Sequence, residues 1–102
     1  MKYIYLIQSL ENSYYKIGVS KHPKQRVKEL QTGNSSELKL IEVYQSEYAH
    51  KIEKSLQNRY AHLRKEGEWF DLSIINEVTF KKECQQIEEN IEFLKKSGNV
   101  FI

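Results

Sequence analysis

At 102 residues, 39% hydrophobic and 12% aromatic, the chain has material for one hydrophobic core and not for two, which excludes both a second, separately folded reading module and a disordered polymer. The net charge of +2 excludes a strongly polycationic protein, yet the charge is uneven: residues 1–68 hold 12 Lys and Arg against 8 Asp and Glu, and residues 69–102 hold 4 against 6. A single cysteine, Cys84, excludes an internal disulfide and fits a reducing compartment, and the N-terminus enters a strand pattern with no apolar run for a signal peptide or membrane span, so a cytoplasmic protein without a membrane partner is expected.

Residues 2–8 and 14–19 are rich in Tyr, Ile, Leu and Val and are joined by the polar SLENS, which predicts an antiparallel hairpin. Alternation puts Tyr3, Tyr5 and Ile7 on one face and Ile4 and Leu6 on the other, so both faces of the sheet should be covered. In the second strand Lys16 stands between Tyr15 and Ile17, just ahead of Gly18, a place for a lysine that packing does not explain. Pro23 then fits the first turn of a short helix with Val27 and Leu30 on its apolar side, Arg26 among its polar residues and Gly33 at its end.

LKLIEVYQ at 38–45 reads as a third strand, and Glu47 opens a longer helix in which Ala49, Ile52, Leu56, Tyr60 and Leu63 recur on one face. Glu53 lies about 60° from the centre of that stripe. A glutamate at such a boundary ordinarily pairs with a nearby cation, here Arg26 or Lys16. KEGEWFDLS at 65–73 breaks the helix at Gly67 and sets Trp69 and Phe70 to close over the core. From about Ser73 a last helix carries Phe80, Cys84, Ile87, Ile91 and Leu94 as one apolar seam, which either covers the domain or forms a homodimer surface. The chain thus divides into a core at 1–72 and a C-terminal amphipathic helix at 73–102 within a single domain.

Cutting a phosphodiester needs a group that accepts a proton from water, a cation over the phosphate and a carboxylate for a divalent metal. Tyr5, Lys16, Arg26 and Glu53 are residues of those types. No Gly-rich phosphate loop is present, and His22, His50, His62 and Cys84 lack zinc-ligand spacing, so no structural zinc is expected.

The order YIY at 3–5, KIG at 16–18, Arg26, the A-x-x-I-E run ending at Glu53, and GEWF at 67–70 resembles the GIY-YIG nuclease superfamily, in its small phage and viral branch with KIG as second signature. Over residues 2–72 the resemblance implies an α+β fold, a small three-stranded antiparallel sheet flanked by helices, with one metal-dependent site on the sheet surface. It implies that Tyr5 activates or positions the attacking water, that Lys16 supports the Tyr5 phenolate or holds a phosphate oxygen, that Arg26 grips the scissile phosphate, and that Glu53 binds Mg2+ or Mn2+. Gly18 matches the signature glycine, Trp69 and Phe70 belong to the GEWF segment, and Glu68 is the polar residue nearest the place of a family asparagine. Three positions depart from the pattern: Tyr3 replaces the first glycine, Leu30 stands where many relatives carry His or Tyr, and the asparagine is missing.

The expected function is a divalent-metal-dependent DNA endonuclease or nickase, with DNA, or RNA, as partner. The alternative is a noncatalytic nucleic-acid-binding or regulatory protein that retains the fold, which Leu30 and the missing asparagine favour. A protein inhibitor using the fold as a docking surface is a third reading.

Overall fold

The alternation of Ile4 and Leu6 with Tyr5 and Ile7 is the pattern of a strand buried on both sides, and the computed structural model, which describes residues 1–98, places it at the centre of the sheet. Strand β1 (Lys2–Ser9) pairs antiparallel with β2 (Tyr15–Ser20) on one side and with β3 (Leu38–Ser46) on the other, with a register irregularity between Leu6 and Ile7. The turn before β2 places Ser13 at a φ of 63°, and the Asn12 side chain accepts from the Tyr14 amide at 2.9 Å. Helix α1 (Pro23–Thr32) connects β2 to β3, α2 (Ala49–Arg59) follows β3, and α3 (Ile74–Lys96) closes the described chain. Residues 99–102 of the expected C-terminal segment lie outside the described residues.

The sheet has four strands rather than three. Trp69–Phe70 forms a short strand, β4, that pairs antiparallel with β2 through Tyr15↔Phe70 and Lys16↔Trp69, giving the order β3-β1-β2-β4. The reason lies just upstream. Helix α2 ends at Arg59, well before Gly67, and after a 3-10 turn at Ala61–Leu63 the chain becomes extended at Arg64. Arg64 bridges to Phe70, and the Lys65 amide donates to the Trp69 carbonyl at 2.8 Å, so KEGE is a tight turn. Gly67, at φ +67°, serves that turn rather than ending the helix.

One sheet face, with Ile4, Leu6, Tyr15 and Ile17, packs against Ala49, Ile52 and Leu56 of α2 and Phe80, Cys84, Ile87 and Ile91 of α3 in one buried cluster. The α3 seam therefore covers its own sheet and is not left open as a dimer surface; Leu94, at its far end, is 38% exposed. The other face carries a smaller cluster, Tyr5, Ile7 and Leu38, covered by Val27 and Leu30 of α1 and by Trp69. Trp69 and Phe70 thus go to opposite faces.

Three tyrosine hydroxyls hold α3 in place. Tyr15 of β2 donates to Glu77 at 2.6 Å, Tyr44 of β3 to Glu88 at 3.0 Å, and Tyr60 at the end of α2 to Glu83 at 2.5 Å. Glu83 also pairs with Arg59 at 3.3 Å. Burial first, and then the partner carboxylate, push Tyr15 and Tyr44 each up to about 12, and push Tyr60 still further. A phenol whose folded pKa lies above its unfolded value contributes stability that is whole below the unfolded pKa and is lost as pH rises through the folded one. The melting temperature should therefore start to fall as pH passes about 10, with most of the loss complete beyond the raised values. Tyr60→Phe should cost about 1.5 kcal/mol at neutral pH and make the alkaline fall shallower. Thermal melts of both proteins across that window check this; identical alkaline slopes would mean that the Tyr60 bond does not support α3.

Candidate active site

Register decides which side chains share a face. Tyr5 lies opposite Gly18 on β2 and Val43 on β3, and Ile7 opposite Lys16 and Leu40. Tyr5, Lys16 and Gly18 are consequently on the face covered by α1. The Tyr5 ring crosses β2 directly over Gly18, so that a Cβ there would overlap its Oη and Cζ atoms. Gly18 is needed for the room it leaves, since the aromatic ring occupies the space of a side chain. Tyr5 is 3% exposed, and its hydroxyl lies beside the Arg26 guanidinium.

Arg26 sits on the exposed flank of α1 and donates to Glu29 Oε2 at 3.2 Å. The neighbouring Tyr5 hydroxyl, and after it Glu29, hold the guanidinium charge more firmly than usual. The cation next to the Tyr5 hydroxyl is thus Arg26. Lys16, expected from the strand pairing to serve Tyr5, instead donates from Nζ to Glu68 Oε2 at 2.7 Å, with its own side chain only 17% exposed. That bond and then the Lys16 charge hold the Glu68 carboxyl below the ordinary glutamate range against the opposing effect of burial, with lesser help from the Arg64 and Arg26 charges.

Glu53 comes from α2, which packs on the opposite face of the sheet. Among the site residues, the one whose charge it feels is Glu68, beside β2 and β4. Its carboxyl is pushed up, first by burial, which His50 partly offsets and the like charge of Glu68 reinforces. Neither Arg26 nor Lys16 is its partner; the group facing it is the His50 ring, whose Nδ1 is 4.0 Å away and whose Nε2 faces the Lys2 ammonium at 3.0 Å. A desolvated carboxylate without a close cation is the donor a hard divalent ion satisfies. Among the described residues no group of three His, Cys, Asp or Glu gathers to cage a metal. A divalent ion held here would have Glu53 as its carboxylate ligand and would keep most of its waters.

Direct contacts thus join Tyr5 with Arg26 and Lys16 with Glu68, and the Glu68 charge is felt by Glu53 and feels that of Arg26 at longer range. Leu30 packs into the apolar cluster beside Tyr5 and supplies no proton carrier. Glu29 was missed by sequence reasoning, although its spacing of three from Arg26 on a helix is the signal for such a pair. Arg64, a further cation near Glu68, had no local signal because a turn brings it there.

Gly18→Ala should destabilise the fold by about 1–3 kcal/mol, as overpacking does. In a Tyr5→Ala background, where the ring is gone, the same substitution should cost much less. Denaturant melts of the four proteins measure the difference; an equal loss in both backgrounds would show that the ring does not depend on Gly18.

No curated protein and no solved structure matches this chain. A family model described as the T5orf172 domain matches residues 2–94, extending through most of α3, as expected of a helix that completes the main core. No helix among the described residues is long and apolar enough to cross a membrane. The chain belongs to the T5orf172 domain family, a phage-associated, GIY-YIG-like nuclease-type domain.

Proposed function

We propose that this protein is a divalent-metal-dependent DNA endonuclease or nickase with a GIY-YIG site in which KIG is the second signature and GEWF supplies β4. The observation that carries this reading is the Tyr5 hydroxyl, set over Gly18 and beside the Arg26 charge, with Lys16 on the same face and the desolvated Glu53 carboxylate within reach of the Glu68 charge. A noncatalytic binder needs cations for phosphate, but it has no use for a partly buried carboxylate among them.

In this reading a phosphate enters between Arg26 and Lys16. The Arg26 guanidinium exchanges its exposed bond with Glu29 for two phosphate oxygens, and Lys16 Nζ, already oriented by Glu68, takes a third contact. The Tyr5 hydroxyl orients a water for in-line attack. The new bond forms between water oxygen and phosphorus as the water's proton passes by way of the Tyr5 hydroxyl to solvent, the bond to the leaving oxygen breaks with that oxygen taking a proton from solvent, and Arg26 offsets the charge that develops on the phosphoryl oxygens. Glu53 would hold Mg2+ or Mn2+; when bound, such an ion acts as a Lewis acid on the phosphate and lowers the pKa of its waters. One site handles one strand at a time. Cleaving both strands takes a second protomer or a second encounter, and a homodimer formed through α3 would use side chains outside the seam, such as the exposed Ile74, Ile75 and Val78. The free Cys84 suits a reducing cytoplasm.

Nicking of supercoiled plasmid with and without Mg2+ or Mn2+ tests the reading. Glu53→Gln should abolish metal-dependent nicking without lowering the melting temperature. The folded protein holds the Glu53 proton more tightly than the unfolded chain does, so the stability this group contributes is whole at low pH and lost as pH rises through the raised pKa. At neutral pH the charged carboxylate is a burden that glutamine lacks, and the variant should melt at the same temperature or higher. The wild-type rate should fall on acidification with a midpoint above the ordinary glutamate value of 4.5. Unchanged nicking by Glu53→Gln would remove Glu53 from the site, and a wild type that binds DNA but never nicks it would favour the noncatalytic alternative.

A further inference from the structure

Helix α1 has two charged flanks. At about 100° per residue, Arg26 leaves one side of the Val27 and Leu30 stripe, and Lys24 and Lys28 leave the other, one turn apart. The Arg26 flank faces Tyr5. The lysine flank faces β3 and, with the sheet, encloses a cleft of about 670 Å3 that the proposed chemistry does not use. Its floor is Tyr3, Leu40 and Val43, half-buried side chains; Val43 lies opposite Tyr5 in the register, and Tyr3 is two residues from Tyr5 on the same strand face. Its rim is Lys21, Lys24 and Lys28, and no carboxylate lines it. Among the described residues none of these three lysines joins an ion pair, whereas Lys16, Arg26 and Arg59 each do.

Three unpaired ammonium groups around an apolar floor call for a ligand with anionic edges and a flat apolar body. We propose that the cleft holds a stretch of nucleic-acid strand flanking the bond to be cut, with phosphates on Lys21, Lys24 and Lys28 and one base against Tyr3. The volume is within the ~300–1,000 Å3 of sites that enclose a small ligand. Lys24 and Lys28 are about 6 Å apart along the helix axis, close to the step between successive phosphates of an extended strand. Aromatic stacking with lysine contacts to the backbone is how proteins hold single strands without reading sequence. The strand then straddles α1, about 10–12 Å across with its side chains, with Arg26 on the scissile phosphate and the lysines on phosphates a few nucleotides away, so one short helix sets the distance between the held segment and the cut. This deepens the proposed nuclease function and rests on it for the cut, but not for the binding.

Fluorescence anisotropy of a labelled oligothymidylate, titrated with protein in EDTA at several KCl concentrations, reads binding apart from cleavage; plasmid nicking is run in parallel. The Lys21→Gln, Lys24→Gln, Lys28→Gln triple variant should bind at least tenfold more weakly at low salt, with the slope of log K against log salt smaller by about 2, since each phosphate contact to a single strand contributes about 0.7. Tyr3→Leu should weaken binding roughly tenfold at an unchanged slope. A wild type that nicks plasmid, with a triple variant of the same affinity and slope, overturns the cleft and leaves the nuclease reading intact. Binding that depends on the lysines without any nicking by the wild type keeps the cleft and overturns the nuclease reading. A wild type that neither binds nor nicks overturns both.

Discussion

The Tyr5 ring lying across Gly18 is the contact from which the chemical face of this protein is built. A glycine within a strand costs roughly 0.5–1 kcal/mol relative to alanine, and here the missing side chain is replaced by an aromatic ring from the neighbouring strand. The exchange has two consequences. It buries Tyr5 in the small cluster that seats α1, and it places the phenol hydroxyl beside Arg26, while strand alternation puts Lys16, two residues earlier on β2, on the same face. Displacing the ring would therefore disturb the helix that carries Arg26 as well as the hydroxyl itself.

The two faces of the sheet are built for different ends. The α2 and α3 face holds the main core and the three tyrosine–glutamate bonds, each between a buried or half-buried phenol and a carboxylate on α3. The α1 face has little apolar depth, and α1 has no fully buried residue. Its cations stand on the surface, where phosphate can reach them. Glu53 belongs to α2 of the structural face, yet its carboxylate feels the charge of Glu68, the partner of Lys16 on the other face. Its raised carboxyl pKa is a sign of a group placed against stability, as functional carboxylates often are.

Much of this was legible in the residues. Alternation in β1, the proline that opens α1, and the stripe through Ala49, Ile52 and Leu56 each report a local constraint, and each element is found where its pattern lies. The fourth strand was not legible, because two residues carry no periodicity and Trp69–Phe70 becomes a strand only through the turn that folds KEGE back onto Arg64. Nor was the end of α2: Tyr60 and Leu63 continue the apolar spacing, but they do so through a 3-10 turn that keeps both side chains inward after the helix has stopped. In the site, Tyr5, Lys16, Arg26 and Glu53 could be singled out by type and order. The pairing of Lys16 with Glu68 and of Tyr5 with Arg26 could not, since partner choice among charges depends on side-chain directions that a linear pattern does not carry.

The account turns on a divalent ion meeting Glu53 at the edge of the Tyr5 and Lys16 face. Amide NMR spectra of the 15N-labelled protein, titrated with substoichiometric Mn2+ in the presence of a short DNA duplex, locate that ion without relying on turnover, because the paramagnetic metal broadens the signals nearest to it. The account predicts selective loss of the signals of Glu53 and its neighbours in α2 and of Lys16 to Gly18 in β2, with the end of α3 unaffected and the loss absent in Glu53→Gln. Broadening centred elsewhere, or persisting unchanged in Glu53→Gln, would contradict it.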